Sequence, residues 1–166
     1  MVESRTSPRR PLPLPPLPPS RKDGPAVDDT SAWRIALPHT TAAVPMARAL
    51  IRTALTDPDR CPDSDTAELL TAELVANAVE HTAGAAPIEL VVELRPNGCQ
   101  VEVHDGDPRP PGDLTAGRPG PQPDPWQEGG RGLLLIRALS SACGHRPTAR
   151  GKAVWFTLPS RATATA

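Results

Sequence analysis

The segment "ELVANAVEH", residues 73–81, decides the fold: its Leu, Val and Ala follow helical spacing, while Glu73, Asn77, Glu80 and His81 interrupt them with polar groups. At about 100° per residue, with Glu73 at zero, Asn77 falls near about 40°, Glu80 near about −20° and His81 near about 80°. The four form one stripe. Ala72, Val75, Ala76, Ala78 and Val79 fill the opposite arc, and Leu70 and Leu74 border the stripe closely. A surface helix ordinarily has a solvated face. An asparagine in mid-helix is a poor surface filler, however, and here its borders are apolar. A solvated face and a polar cleft are both open from this helix alone.

Upstream, Asp63, Ser64 and Asp65 are candidate N-caps for this helix, and Gly84 is a stop signal behind it. A preceding helix over "TTAAVPMARALIRTAL", residues 40–55, sets Val44, Ala47, Ile51, Ala54 and Leu55 at helical spacing. Thr40 or Thr41 is its candidate cap, and Pro45 is tolerable only in the first turn. "AWRIALP" (32–38) predicts a first strand.

Downstream the period changes to two. Ile88, Leu90, Val92 and Leu94 alternate with Glu89, Val91, Glu93 and Arg95; Val101 and Val103 alternate with Gln100, Glu102 and His104. This predicts a hairpin turning around Asn97-Gly98. Asp105 has the parity of the valines. A strand that runs on to it turns its carboxylate to the buried side, where it needs a partner or ligand; a switch at the strand end turns it outward. A Pro/Gly-rich loop over residues 106–128 follows, long enough to be functional. "GGRGLLLIRALSSACG" then predicts a third helix begun by glycines and closed by Gly144, with last strands near 145–149 and 153–158 turning at "RGK". The expected fold class is α/β: a two-layer sandwich, with a mixed, mostly antiparallel sheet of four or five strands and three helices on one face.

Three elements suit a nucleoside triphosphate. The helix offers Glu73 and Asn77, the strand end offers Asp105, and Gly129, Gly130 and Gly132 precede an apolar helix, an arrangement that binds phosphate through backbone N–H groups. Asp105 would accept from the exocyclic amine of adenine, Asn77 would hold Mg²⁺ with phosphate oxygens, and the loop would close as a lid. The glycine spacing fits neither a Walker loop nor a dinucleotide fingerprint.

Composition narrows the classes. Seven of the 23 prolines lie in residues 1–22 and seven in 106–128, so neither stretch forms helix. Residues 1–30 read as a disordered, basic polyproline tail and 161–166 as a second tail, around a domain over 31–160. Arg10-x-x-Pro13-x-x-Pro16 has the form of a ligand for an aromatic groove, although a solvated leader is the plainer reading. Residues 1–22 carry a net charge of +4 and the remainder −5, and an acidic body argues against direct nucleic-acid binding. No apolar run suits a membrane span, and the N-terminus lacks the apolar core of a secretory signal. Cys61, Cys99 and Cys143, odd in number and far apart, suit a reducing cytoplasm and form no metal pair. His104 reads as a solvent-facing strand residue; His81 either forms part of the cleft or caps the helix C-terminus, with the cap the plainer reading; His39 and His145 stand alone. Trp33 and Trp155 should pack in or beside the sheet, with Trp126 more exposed in the lid.

"ELVANAVEH", "VEVHDGDPRPP" and "GGRGLLLI", in this order, resemble the three nucleotide-binding boxes of the ATPase superfamily shared by DNA gyrase, histidine kinases and anti-sigma-factor serine kinases. The first box and the short chain look most like the anti-sigma kinase branch, over roughly residues 32–159. The resemblance implies a Bergerat-type ATPase fold and a Mg²⁺-ATP-dependent serine/threonine kinase. It implies Glu73 as general base, Asn77 as Mg²⁺ ligand and Asp105 as adenine acceptor, with Gly130, Arg131 and Gly132 at the phosphates and Leu133 also binding the nucleotide. The implied partners are an anti-anti-sigma (STAS-type) protein as phosphoacceptor and a sigma factor held inactive, with a homodimer also allowed. The chain departs from the pattern twice. Asp105-Gly106-Asp107-Pro108 lacks both later glycines of the second box, and Gly151-Lys152 replaces the Gly-Thr that many members have before the last strand. These departures motivate the alternative, a non-catalytic module that binds nucleotide or sequesters a protein.

Overall fold

The computed structural model describes residues 31–57, 62–112 and 131–161, with Arg131 described in its backbone only. The expected tails apart from Arg161, together with Cys61, Trp126, Gly129, Gly130 and the lid loop beyond Gly112, lie outside the described residues.

Five strands form one antiparallel sheet: β1 (Ser31–Leu37), β2 (Ile88–Arg95), β3 (Gly98–Asp105), β4 (Ala142–Thr148) and β5 (Gly151–Pro159), in the order β1-β2-β3-β5-β4. Among the described residues all four pairings are antiparallel, so the sheet they form is not mixed. Three helices, α1 (Ala43–Ala54), α2 (Ser64–His81) and α3 (Arg131–Leu139), complete a two-layer α/β sandwich. α2 lies over β2, β3 and β5, with α1 toward β1 and α3 toward β4.

Side-chain alternation selects the covered face. Register sets Val92, Val101 and Phe156 side by side, and Leu90, Val103 and Val154 likewise. All are buried with Leu70, Leu74, Val75 and Ala78 of α2. The intervening positions form the helix-free face. There His104 Nε2 lies 2.8 Å from Glu102 Oε2, which also accepts from Arg146 at 2.7 Å. Trp155 shares that face and lies against Gly144, where a Cβ would fall 2.9 Å from the ring. Trp33, on edge strand β1, is 39% exposed.

Local chemistry sets the boundaries. Asp63 caps α2, accepting from Asp65 N at 3.2 Å. α1 has neither Thr40 nor Thr41 as a side-chain cap; Ala42 occupies the cap position and Ala43 N bonds Thr40 O at 3.0 Å. Pro45 falls in the first turn of α1, where its missing N–H costs nothing. The β2–β3 turn differs from expectation. Arg95 pairs with Gly98, so the loop is Pro96-Asn97; Gly98 opens β3 at φ 144° with its Cα against the Leu158 backbone. Only glycine fits there. α3 stops at Leu139, five residues before Gly144, which lies inside β4 instead of closing the helix. A serine pair makes the stop: Ser140 Oγ donates to Ile136 O, and Ser141 N to Thr157 O at 2.9 Å.

The two long helices are joined by charge as well as packing. Glu68 of α2, only 5% exposed, accepts from Arg52 Nε at 3.0 Å and Nη2 at 2.8 Å, with Arg48 Nε at 3.7 Å. The Arg52 hydrogen bonds hold the Glu68 carboxyl below its ordinary range, outweighing the opposing effect of desolvation. A depressed folded-state pKa gives stability that is fully present above the unfolded pKa and lost as pH falls through the folded value. Glu68→Gln is therefore expected to melt a few degrees below the parent at neutral pH. The gap should close on acidification, as followed by circular dichroism melts from pH 7 downward; a gap that does not change with pH would assign the loss to packing.

Candidate functional site

α2 presents a face i, i+3, i+4, i+7 to the end of the sheet: Leu74, Asn77, Ala78 and His81 line a pocket of about 370 Å³. Val103, Asp105, Lys152 and Val154 form its sheet side, Leu133 of α3 one wall, and Asp107 and Arg109 to Gly112 the rim. Such a volume, lined by apolar and polar groups in about equal measure, falls in the range of small-ligand sites.

The polar stripe read from the sequence divides. Asn77 and His81 enter the pocket, whereas Glu80 is exposed and pairs loosely with His81 at 3.8 Å. His81 thus lines the pocket from the last turn of α2, the position read as a cap. Glu73 points elsewhere: its carboxylate lies against Gly132 in the first turn of α3, where any Cβ would collide with Oε2. Glycine at 132 leaves room for the Glu73 carboxylate where it lies; a Cβ there would displace only the flexible end of that side chain. Among described residues, neither Glu73 nor the Asn77 amide has a hydrogen-bond partner. The arrangement brings Asn77, Asp105 and Leu133 to one pocket, with Glu73 and Gly132 touching beside it. Gly130 and the Arg131 side chain lie outside the described residues.

Asp105 keeps the parity of Val101 and Val103 to the end of β3 and is 7% exposed. Its Oδ1 accepts from Asp107 N at 2.9 Å and Lys152 Nζ at 2.9 Å; Oδ2 has no partner among described residues. Lys152, 6% exposed, also donates to Asp107 O at 3.0 Å. Register makes Lys152 the direct cross-strand neighbour of Asp105. Gly151 beside it closes the approach: a Cβ there would fall 2.6 Å from the Gly106 carbonyl carbon.

Lys152 is the site residue that sequence reading missed. The signal was present, since Lys152 has the parity of Val154, Phe156 and Leu158; assigning it to the turn hid that. The rim compensates for its missing glycines with a side-chain clasp. Asp107 Oδ1 accepts from Arg109 N at 2.9 Å and Oδ2 from Arg109 Nη2 at 2.7 Å.

A two-layer α/β domain with a pocket between its central helix and the sheet ends is a ligand-binding architecture. Residues 37–158 match the histidine kinase-like ATPase domain family, and the chain belongs to it. Family membership implies ATP as the ligand. Among solved structures, the chain is similar to that of the RsbU and RsbW domains of Rv1364c from Mycobacterium tuberculosis, with a TM-score of 0.55 and 23% identity. That match covers 79% of this chain and 33% of the other, so the chain spans about one third of the structure it resembles. At this identity the likeness concerns the fold. No curated protein sequence matches the chain significantly.

The Arg109 side-chain hydrogen bonds, followed by its backbone N–H, lower the Asp107 carboxyl to about 2. The clasp should hold as pH falls through the ordinary aspartate range and open only near pH 2. Carboxyl-carbon NMR titration is expected to place Asp107 there. Arg109→Ala should raise it toward 3.8, with the retained backbone N–H of residue 109 still holding it below that value; an unmoved midpoint would rule the side-chain clasp out.

Proposed function

We propose that this ATPase-family domain is a Mg²⁺-ATP-dependent serine/threonine protein kinase of the anti-sigma-factor type. The observation that carries the reading is the convergence of Asn77, Asp105 and the α3 start on one pocket, with Glu73 held beside it against Gly132. The resemblance of the three sequence boxes and the RsbW domain in the similar structure support the choice of branch.

The residues fit the nucleotide. Leu74, Ala78, Val103 and Val154 offer apolar walls to a base, and Asp105 Oδ2 can accept from an exocyclic amine. Gly132, which has no side chain beside Glu73, suits backbone approach at the phosphates, with Leu133 lining the pocket next to it; Gly130 and Arg131 are assigned to that end from the sequence box alone. Asn77 supplies an oxygen for Mg²⁺. Among described residues no group of three His, Cys, Asp or Glu could hold a metal; Mg²⁺ commonly takes few protein ligands and completes its shell with phosphate oxygens and water. When bound, it neutralises charge on the phosphates.

Glu73 is the general base. Its carboxylate takes the proton of a partner's seryl or threonyl hydroxyl as that oxygen bonds to the γ-phosphorus, and the bond from phosphorus to the β,γ-bridging oxygen breaks with release of ADP. The phosphoacceptor is an anti-anti-sigma protein of STAS type, and a sigma factor is the sequestered partner. The domain acts in the cytoplasm; no described helix is long and apolar enough to cross a membrane.

Positioned acid–base help contributes about 10² to 10⁴ in rate. Glu73→Ala is expected to bind ATP normally and lose phosphotransfer by that factor, whereas Asn77→Ala should lose both. Incubation with Mg²⁺-ATP and candidate anti-anti-sigma proteins, read by mass spectrometry for phosphoserine, tests the reaction. Equal labelling by Glu73→Ala and the parent would refute the base. An absence of nucleotide binding at millimolar ATP would leave only protein sequestration.

A further inference from the structure

We propose that Lys152 is a specificity-determining residue that donates to ring nitrogen N1 of adenine while Asp105 Oδ2 accepts from the exocyclic amine beside it. This rests on the reading of the pocket as an adenine site and adds a contact from this chain's own Gly151-Lys152 departure.

Three observations carry it. Lys152 and Asp105 are cross-strand neighbours on the helix-covered face, with side chains 8% and 3% exposed, and both line the pocket. Two of the three ammonium N–H groups are spoken for, by Asp105 Oδ1 and Asp107 O, which leaves one without a described acceptor. Asp105 Oδ1 carries two donors and Oδ2 none among described residues.

The ion pair thus presents a vacant acceptor next to a vacant donor, at neutral net charge, at the edge of an apolar-walled cavity. Adenine offers the complement on adjacent atoms: a 6-amino donor and an N1 acceptor. Guanine in the same pose sets O6 against the carboxylate and N1–H against the ammonium, and both contacts fail. Leaving buried polar groups unpaired is what makes such sites reject the wrong ligand.

Calorimetric titration of the full chain with ATP, 1-deaza-ATP (N1 replaced by C–H) and GTP tests the assignment in the parent and in Lys152→Met. A hydrogen bond from a charged donor predicts that the parent binds ATP about 10- to 100-fold more tightly than 1-deaza-ATP, with GTP weaker than ATP. In Lys152→Met the ATP to 1-deaza-ATP ratio should fall to within about threefold. Four outcomes overturn the proposal. They are equal parent affinity for ATP and 1-deaza-ATP, an unchanged ratio in Lys152→Met, tighter ATP binding by Lys152→Met, and GTP binding at least as tight as ATP. The parent titrations stand even if Lys152→Met does not fold. Loss of all ATP binding by the parent would remove the adenine reading and this contact with it; ATP binding without discrimination at N1 removes the contact alone.

Discussion

A carboxylate and an ammonium face each other at the end of an otherwise hydrocarbon-lined sheet, and the geometry of the pocket depends on that pair. Asp105 and Lys152 are both nearly buried, and an unpaired charge in such a place would cost several kcal/mol. The pairing follows from register. Because Val101 lies opposite Phe156 and Val103 opposite Val154, Asp105 must lie opposite Lys152, two residues on and on the same face. Lys152 then reaches past its partner to the Asp107 carbonyl, which fixes the path of the chain leaving β3. Gly151 allows this by letting β5 begin against the backbone of Asp105 and Gly106. The rim of the pocket is therefore an extension of sheet pairing, and the Asp107–Arg109 clasp continues that order outward.

α2 is the other half of the constraint. It is contacted by α1, by the sheet and by α3, so it is apolar over most of its circumference, and each polar residue has a separate position. Glu68 serves the α1 side through Arg52, Asn77 and His81 open toward the pocket, and Glu73 meets the α3 start. Asp65, Leu69 and Glu80 are exposed, and His81 is exposed at the pocket mouth. Contacts with α1, the sheet and α3 nevertheless fix the helix itself, which is what a positioned functional group requires.

Much of this was legible from periodicity. The alternation of β2 and β3 identified the covered face, and the parity of Asp105 placed its carboxylate inside. The helical wheel found Glu73, Asn77 and His81, but put Ala78 on the far arc. A wheel centred on Glu73 assumes a single polar side, whereas the pocket lies toward the i, i+4 row of Leu74 and Ala78 and separates Glu73 from Asn77. Lys152 was missed because "RGK" reads as a turn, although β5 begins one residue before the lysine. Gly144 misled for the opposite reason: a glycine after an apolar helix resembles a stop, yet here it makes room for Trp155 on the neighbouring strand. The Glu68–Arg52 link was beyond sequence reading, since it joins residues sixteen positions apart and depends on how their two helices cross.

The functional groups are also ordered along α2. Glu73, Asn77 and His81 succeed one another at intervals of four residues, about 6 Å of helix rise per step. Under the proposed reading this sequence of groups corresponds to a direction in the ligand. The base lies toward Asp105 and Lys152, the phosphates run past Asn77 toward the α3 start, and the acceptor hydroxyl arrives where Glu73 meets Gly132. Base recognition then falls to the sheet end, at Asp105 and Lys152, and proton removal to the middle of α2. A change at Lys152 should therefore alter which nucleotide is chosen without altering how Glu73 handles the hydroxyl, because the two residues lie on different elements and share no hydrogen bond.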